Sequence, residues 1–160
     1  MARFKKVIGA IDGSHIPIQG QGEHNEAYIN RKGFPRKEIL QAVCDLELNF
    51  TDCFVGWPGS VHDSCVFKNS PLCNSIQNNP FEMFPNDTHL LGDAAYPLET
   101  FLLTPYKGLD YGSVNHASSY NKVHASTRNV IERAFGILKS RSDSQNKFIF
   151  KRLKKFVKLS

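Results

Sequence analysis

The run Val7-Ile8-Gly9-Ala10-Ile11 is apolar throughout and leads directly into Asp12. An apolar run without polar alternation is typical of a central strand that is covered on both faces. We place this strand at residues 5–11, with a break at Gly13 and a short continuation at Ile16-Pro17-Ile18. A carboxylate at the end of a buried strand costs free energy unless it is paired, hydrogen-bonded or bound to a metal. Asp12 is therefore the first candidate for a functional residue.

Three more acids lie beside apolar segments further along the chain, namely Asp63, Asp93 and Glu132. Each has a simple structural explanation when it is taken alone. Asp63 is a helix-cap residue, Glu132 pairs with Arg128 four residues earlier, and the Asp-Gly-Ser sequence at Asp12 is a turn. Four such acids together favour a different explanation, because several converging carboxylate oxygens are what Mg²⁺ or Mn²⁺ requires. They indicate a metal-dependent phosphoryl-transfer site, in which two ions roughly 4 Å apart activate the attacking oxygen and stabilise the leaving one.

The remaining pattern predicts an α/β fold with a mixed five-stranded sheet and helices on its faces. Further strands are expected at residues 39–45, 50–56, 89–93 and 101–105, with a hairpin near 46–49. The first three strands should be antiparallel neighbours, with Asp12 in the middle of the sheet. A helix capped by Ser60 or Asp63 should run toward Ser70, and a longer one should occupy residues 119–140. Loops are expected at residues 19–27, 71–88 and 106–118.

Length and composition set further bounds. A chain of 160 residues with 41% hydrophobic residues fits one domain with a real core. It has no apolar stretch of 18 residues, so we expect no membrane span. The four cysteines lack C-x-x-C spacing and are expected to be reduced, which argues against a zinc ribbon. The histidines also lack metal-binding spacing, although His62 is kept as a candidate group behind Asp63.

The positive charge is concentrated at the C-terminal end. Residues 139–160 carry eight Lys or Arg against one acid, whereas the remaining 138 residues carry 12 bases and 14 acids. We therefore predict a domain at residues 1–142 and a basic tail at 143–160. Such a tail can bind phosphates, direct nuclear import or be simply a solvated end. Ile149, Leu153, Phe156 and Val157 would share one face if residues 147–159 form an amphipathic helix.

At the four acids the chain resembles the DDE nuclease domain of PIF/Harbinger transposases and of the host nucleases derived from them. The resemblance is collinear over roughly residues 5–140. Its matching stretches are Ile8–Ile18, Tyr28–Phe34, Gln41–Asp45, Gly56–Asp63, Leu91–Leu98 and Ser126–Gly136.

The resemblance implies an RNase H-like fold and a divalent-metal nuclease. It assigns catalysis to Asp12, Asp93 and Glu132, and it adds Asp63 as a metal ligand through the W-P-G-S-x-x-D motif at Trp57–Asp63. The cofactors would be Mg²⁺ or Mn²⁺, in two ions. The substrate would be DNA, a separate Myb-like DNA-binding protein would be the partner, and the location would be the nucleus, with the cytoplasm as a second compartment.

The same resemblance leaves an alternative open. Members of the family usually carry a helical region before the first catalytic strand, and this chain begins almost at that strand. Beyond Arg141 the expected sequence also gives way to the basic end. The alternative function is a catalytically silent, domesticated or truncated copy that acts as a DNA- or protein-binding module. The intact acids favour the nuclease.

Overall fold

In a computed structural model of the chain, residues 4–17, 37–108 and 116–140 are described. The predicted loop at 19–27, the middle of the predicted loop at 106–118 and the basic tail lie outside these ranges. The strands are β1 (Val7–Pro17), β2 (Lys37–Cys44), β3 (Phe50–Pro58), β4 (His89–Leu91) and β5 (Leu102–Leu103). The helices are α1 (Asp63–Lys68), α2 (Pro71–Asn78), α3 (Pro80–Met83) and α4 (His116–Ser140).

The described strands form one mixed sheet in the order β3-β2-β1-β4-β5. The β1–β2 and β2–β3 pairs are antiparallel, whereas β4 runs parallel to both β1 and β5. This confirms the predicted α/β class, the five strands and the antiparallel order of the first three. Asp45 closes the predicted hairpin, since its carboxylate accepts hydrogen bonds from the backbone amides of Glu47 and Asn49 at 2.9 Å each.

Each face of the sheet has its own apolar core. Helix α4 covers one face, where Val130, Ile131, Ala134 and Phe135 pack against Ala10, Leu40, Ala42 and Leu91. Helices α1 to α3 cover the other face, where Phe67, Leu72 and Ile76 pack near Ile11, Val43 and Leu90. Alternate residues of β1 thus point into different cores, as the period of two along a strand requires. Burial on both faces explains why β1 and β2 are apolar along most of their length.

Several predicted boundaries are wrong. Strand β1 continues to Pro17 without a break at Gly13, so Asp12 lies in the middle of the strand and not near its end. Its pairing with β2, from Ala10 to Pro17, provides hydrogen-bond partners for that continuation. Helix α4 begins at His116, three residues before the predicted start at 119.

The predicted loop at 71–88 is also wrong, because it contains α2, α3 and a short 3-10 turn at Pro85–Asp87. Helix α2 begins after Ser70, whose hydroxyl accepts a hydrogen bond from the backbone amide of Cys73 at 3.1 Å, and Pro71 occupies the first turn. Both are helix-start signals. The residue before α1 is His62, which makes no side-chain cap, so neither Ser60 nor Asp63 caps that helix.

Two further findings concern composition. Within the described ranges, no helix has the length and apolar character that a membrane crossing requires. All four cysteines are unpaired. Burial raises the pKa of Cys44 to about 11 and that of Cys53 to about 12, so both thiols stay protonated at neutral pH.

Candidate metal centre

Three of the four predicted acids meet on β1, at the start of α1 and just after β4. Carboxylate oxygens of Asp12, Asp63 and Asp93 all lie within 4.8 Å of one another, and each side chain is partly buried. Strands β1 and β4 are parallel neighbours in which Ala10 lies opposite Leu91, so the acids two residues further on come level. Asp12 and Asp93 therefore meet because of the sheet pairing, and Asp63 joins them from α1.

Asp63 reaches this position over Gly13. A Cβ atom at residue 13 would lie 2.2 Å from Asp63 Oδ1, well inside van der Waals contact. Only glycine leaves room for the carboxylate at this point of β1. The glycine after Asp12 thus serves the site, although it does not interrupt the strand.

The Asp12 carboxylate is held by the chain itself. Its Oδ1 accepts a hydrogen bond from the Gly13 amide at 2.8 Å, and Arg128 Nη1 donates to its Oδ2 at 3.2 Å. Burial nevertheless raises the pKa of Asp12, and the carboxylates of Asp93 and Asp63 add to the rise. Burial and the Asp93 carboxylate also raise the pKa of Asp63, against the favourable effect of His15 and His62. The three acids therefore repel one another in the metal-free protein.

The structure places Glu132 differently from the three aspartates. Its Oε1 accepts a hydrogen bond from Arg128 Nη2 at 2.6 Å, and 53% of its side chain is exposed. The side chain of Arg128 is only 19% exposed, and its guanidinium links Glu132 to Asp12. The i,i+4 pair considered from the sequence is present. Because Glu132 bonds the Arg128 guanidinium, it does not join the cluster of the three aspartates. The catalytic roles of Asp12, Asp93 and Glu132, and the metal roles of these three and Asp63, stay predictions.

Three residues near the site were missed in the sequence. His15 lies two residues after Gly13, hence on the same face of β1, and its charge favours the ionised form of Asp63. Tyr96 is buried below the Asp93 turn, with its backbone amide 3.2 Å from the Asp93 carbonyl oxygen. Gln41 lies opposite Gly13. The available signals were the period of two for His15 and a lone amide inside an apolar strand for Gln41.

The site fits a divalent cation. Three hard anionic oxygens from separate elements leave open positions, which suits the hydrated Mg²⁺ or the similar Mn²⁺. The fit of Asp63 over Gly13 shows that the fold brings these carboxylates together, and burial, with a further contribution from their mutual repulsion, raises the pKa of Asp12 and Asp63. A cation would offset that repulsion, and Asp12, Asp63 and Asp93 would hold it.

Comparisons with known proteins identify the family of the chain. A family model described as DDE superfamily endonuclease matches residues 11–154. The chain is 33% identical over 138 residues to the rat protein named "Putative nuclease HARBI1", and 32% identical over 141 residues to its human counterpart. It is also 31% identical over 158 residues to the Arabidopsis thaliana protein named "Protein ALP1-like".

These alignments cover 86–88% of this chain but only 37–38% of the relatives, so the chain spans less than two fifths of their length. No solved structure matches it. The family match includes Asp12, Asp63, Asp93 and Glu132 and spans most of the chain. The chain therefore belongs to the DDE superfamily endonuclease family and is similar to the Harbinger-transposase-derived nucleases.

Proposed function

We propose that this domain cleaves DNA with the help of divalent cations, by hydrolysis of a phosphodiester bond. The observation that carries the proposal is the cluster of Asp12, Asp63 and Asp93, whose carboxylate oxygens lie within 4.8 Å of one another. Burial and, to a lesser extent, the neighbouring carboxylates raise the pKa of Asp12 and Asp63, so the ionised cluster is unfavourable without a cation. A pair of Mg²⁺ or Mn²⁺ ions, when bound, supplies charge that activates the attacking oxygen and stabilises the leaving one.

The residues of the chain have separate tasks in this proposal. Asp12 presents its carboxylate from β1, Asp93 from the residues just after the adjacent β4, and Asp63 from α1. The Gly13 amide and Arg128 fix the two oxygens of Asp12 in one orientation. Glu132 completes the predicted set of ligands once its carboxylate leaves Arg128. Its exposed side chain, on a rigid helix one turn after Arg128, is free to change rotamer.

Partners and location are part of the same proposal. We propose DNA as the substrate, a separate Myb-like DNA-binding protein as the partner and the nucleus as the site of action, all on the strength of the family resemblance. The uneven charge supports contact with DNA, since eight of the 20 basic residues fall in the last 22 residues of the chain. Removing residues 143–160 should lower DNA affinity at low salt and flatten its salt dependence, because each neutralised phosphate releases counterions.

Nicking of supercoiled plasmid tests the activity. The chain should nick DNA in Mn²⁺ and not in EDTA, and Asp93→Asn should lower the rate by at least about 100-fold, since one ligand oxygen of the cluster loses its charge. Asp87→Asn is the matched control, because Asp87 is an exposed acid near β4 that pairs only with Lys6 among the described residues. If the chain binds Mn²⁺ and DNA but never nicks, it is a silent binding module and the proposed activity is wrong.

A further inference from the structure

Two buried polar side chains lie on the same side of the sheet as Asp63 and lack hydrogen-bond partners. Gln41 is 1% exposed and Tyr96 is 2% exposed. Neither polar atom of the Gln41 carboxamide, nor the Tyr96 hydroxyl, has a partner within the described part of the chain. A buried polar group without a partner lowers stability, so native proteins rarely keep one without a reason.

The sheet register places Gln41 beside Asp63. Gln41 lies directly opposite Gly13 in the antiparallel β1–β2 pair, so the two positions face the same side. Cβ positions opposite each other in such a pair are about 5 Å apart. Because Asp63 Oδ1 lies 2.2 Å from where a Cβ of residue 13 would be, Gln41 is a neighbour of that carboxylate.

Tyr96 packs against α1, the helix that carries the same carboxylate. Its ring packs edge-on against Phe67, with ring centroids 5.9 Å apart, and Phe67 lies one helical turn after Asp63 on α1. Burial raises the pKa of the Tyr96 phenol, and among the acids that raise it further the largest contribution comes from Asp63. The Tyr96 side chain thus lies against α1, one turn from Asp63, within the electrostatic influence of the acidic cluster.

We propose that Gln41 and Tyr96 are positioning residues for Asp63, whose carboxylate accepts hydrogen bonds from both when it binds a divalent cation. The inference rests on the proposed function. Donors and acceptor are complementary. Asp63 accepts no hydrogen bond from any described residue, and the Gln41 amide group and the Tyr96 hydroxyl have no acceptor among those residues. Groups behind a metal ligand fix its orientation, and their loss typically weakens metal binding about 10- to 100-fold.

Two near-isosteric variants test the inference. Tyr96→Phe removes one oxygen and keeps the ring contact with Phe67, and Gln41→Met keeps the volume without polar atoms. Unfolding in EDTA should show each variant to be as stable as the parent chain or more stable, because an unpaired polar group has gone. Titration calorimetry should show the dissociation constant for Mn²⁺ raised about 10- to 100-fold in each. A merely structural role does not produce these opposite effects.

Thr88→Val is the matched control. The Thr88 hydroxyl is also buried without a partner, but it precedes β4, at the opposite end of that strand from Asp93. In EDTA this variant should be as stable as the other two variants, and its dissociation constant for Mn²⁺ should equal that of the parent chain. If Tyr96→Phe and Gln41→Met keep the affinity of the parent chain, the inference is overturned and the proposed function stands. If the parent chain binds no Mn²⁺, both are overturned.

Discussion

The two faces of the sheet treat their carboxylates in different ways. On the α4 face, Asp12 is held by the Gly13 amide and by Arg128, which also binds Glu132. On the opposite face, Asp63 rests over Gly13 without a hydrogen bond from any described residue, beside unpaired Gln41 and Tyr96. On the α4 face, Arg128 supplies a cation to both carboxylates. On the other face, neither the Asp63 carboxylate nor the donors of Gln41 and Tyr96 have a hydrogen-bond partner among the described residues.

This difference shows where the metal-free site is stable and where it is strained. An Arg that bridges two carboxylates satisfies both and fixes their positions. Unpaired buried groups, by contrast, are retained at a cost in stability, which is common at functional sites and uncommon elsewhere. Cation binding should therefore give its largest gain in stability at Asp63. Its largest conformational change should be on the Arg128 side, where the Glu132 carboxylate leaves the guanidinium.

The largest effect should follow from Gly13→Ala, which adds one methyl group where the Asp63 carboxylate lies against β1. In Gly13→Ala the new Cβ would lie 2.2 Å from Asp63 Oδ1, so the carboxylate must leave its place. The backbone of residue 13 is ordinary strand, so the fold should survive. We expect Mn²⁺ affinity to fall at least about 100-fold, as for the loss of a ligand and its support, with the change measured by calorimetry.

Gly136→Ala is the control for that variant. Gly136 lies in α4 with no atom within 4 Å of its would-be Cβ. Alanine in a helix interior is more stable than glycine by roughly 0.5–1 kcal/mol. The control should therefore unfold at a higher temperature than the parent chain and bind Mn²⁺ with the same affinity. Unaltered Mn²⁺ binding by Gly13→Ala would show that Asp63 is not a ligand.

The acids and the sheet were predictable from the sequence because both depend on local pattern. The apolar runs that lead into Asp12 and Asp93 are visible in the sequence, and the parallel pairing of β1 with β4 brings the two acids level. Asp63 was identified in the same way, and the resemblance then assigned it to metal binding through the W-P-G-S-x-x-D motif. The α2 helix was missed because its Asn- and Pro-rich composition obscured the Ser70-Pro71 start signal and the buried spacing of Leu72, Cys73 and Ile76.

The remaining parts of the site depend on tertiary contacts. Whether Glu132 faces the cluster or Arg128 is decided by a rotamer on the surface of α4, which no spacing rule determines. Gln41 and Tyr96 occupy apolar surroundings and resemble ordinary core positions in the sequence. Their significance appears only when the register opposite Gly13 and the unpaired atoms are known.

A second, smaller effect concerns the α4 face. Arg128→Gln removes the counter-ion of Asp12 and Glu132, leaving the partly buried Asp12 charge without its cation. We expect the free energy of unfolding in EDTA to fall by about 1–3 kcal/mol. Mn²⁺ should then stabilise the variant more than it stabilises the parent chain, since no guanidinium competes for the carboxylates. Thermal melts with and without metal measure both quantities.

Arg133→Gln is the matched change, because Arg133 is exposed on the same helix. Its effect should stay within about 0.5 kcal/mol, as for ordinary surface substitutions. If Arg128→Gln and Arg133→Gln behave alike, Arg128 contributes nothing measurable to the α4 side and the contrast between the faces is lost.

The smallest effect is a pH dependence on the Asp63 side. Because the folded-state pKa of Asp63 is raised, the folded protein binds a proton more readily than the unfolded chain does. Its contribution to stability is thus full below the ordinary value of 3.8 and is lost as pH rises through the raised pKa. Asp63→Asn removes the charge that causes this loss, so at neutral pH in EDTA the variant should unfold at a higher urea concentration than the parent chain. In saturating Mn²⁺ the order should reverse, because the parent chain gains binding energy that the variant lacks.

Asp52→Asn separates this effect from burial alone. Burial also raises the pKa of Asp52, which lies on β3 and outside the acidic cluster. That variant should gain stability at neutral pH in EDTA and keep the same gain in Mn²⁺. Urea unfolding from pH 4 to pH 7, in both buffers, gives the four comparisons. An Asp63→Asn curve that stays above the parent chain in Mn²⁺ would mean that Asp63 carries an unfavourable charge for some purpose other than cation binding.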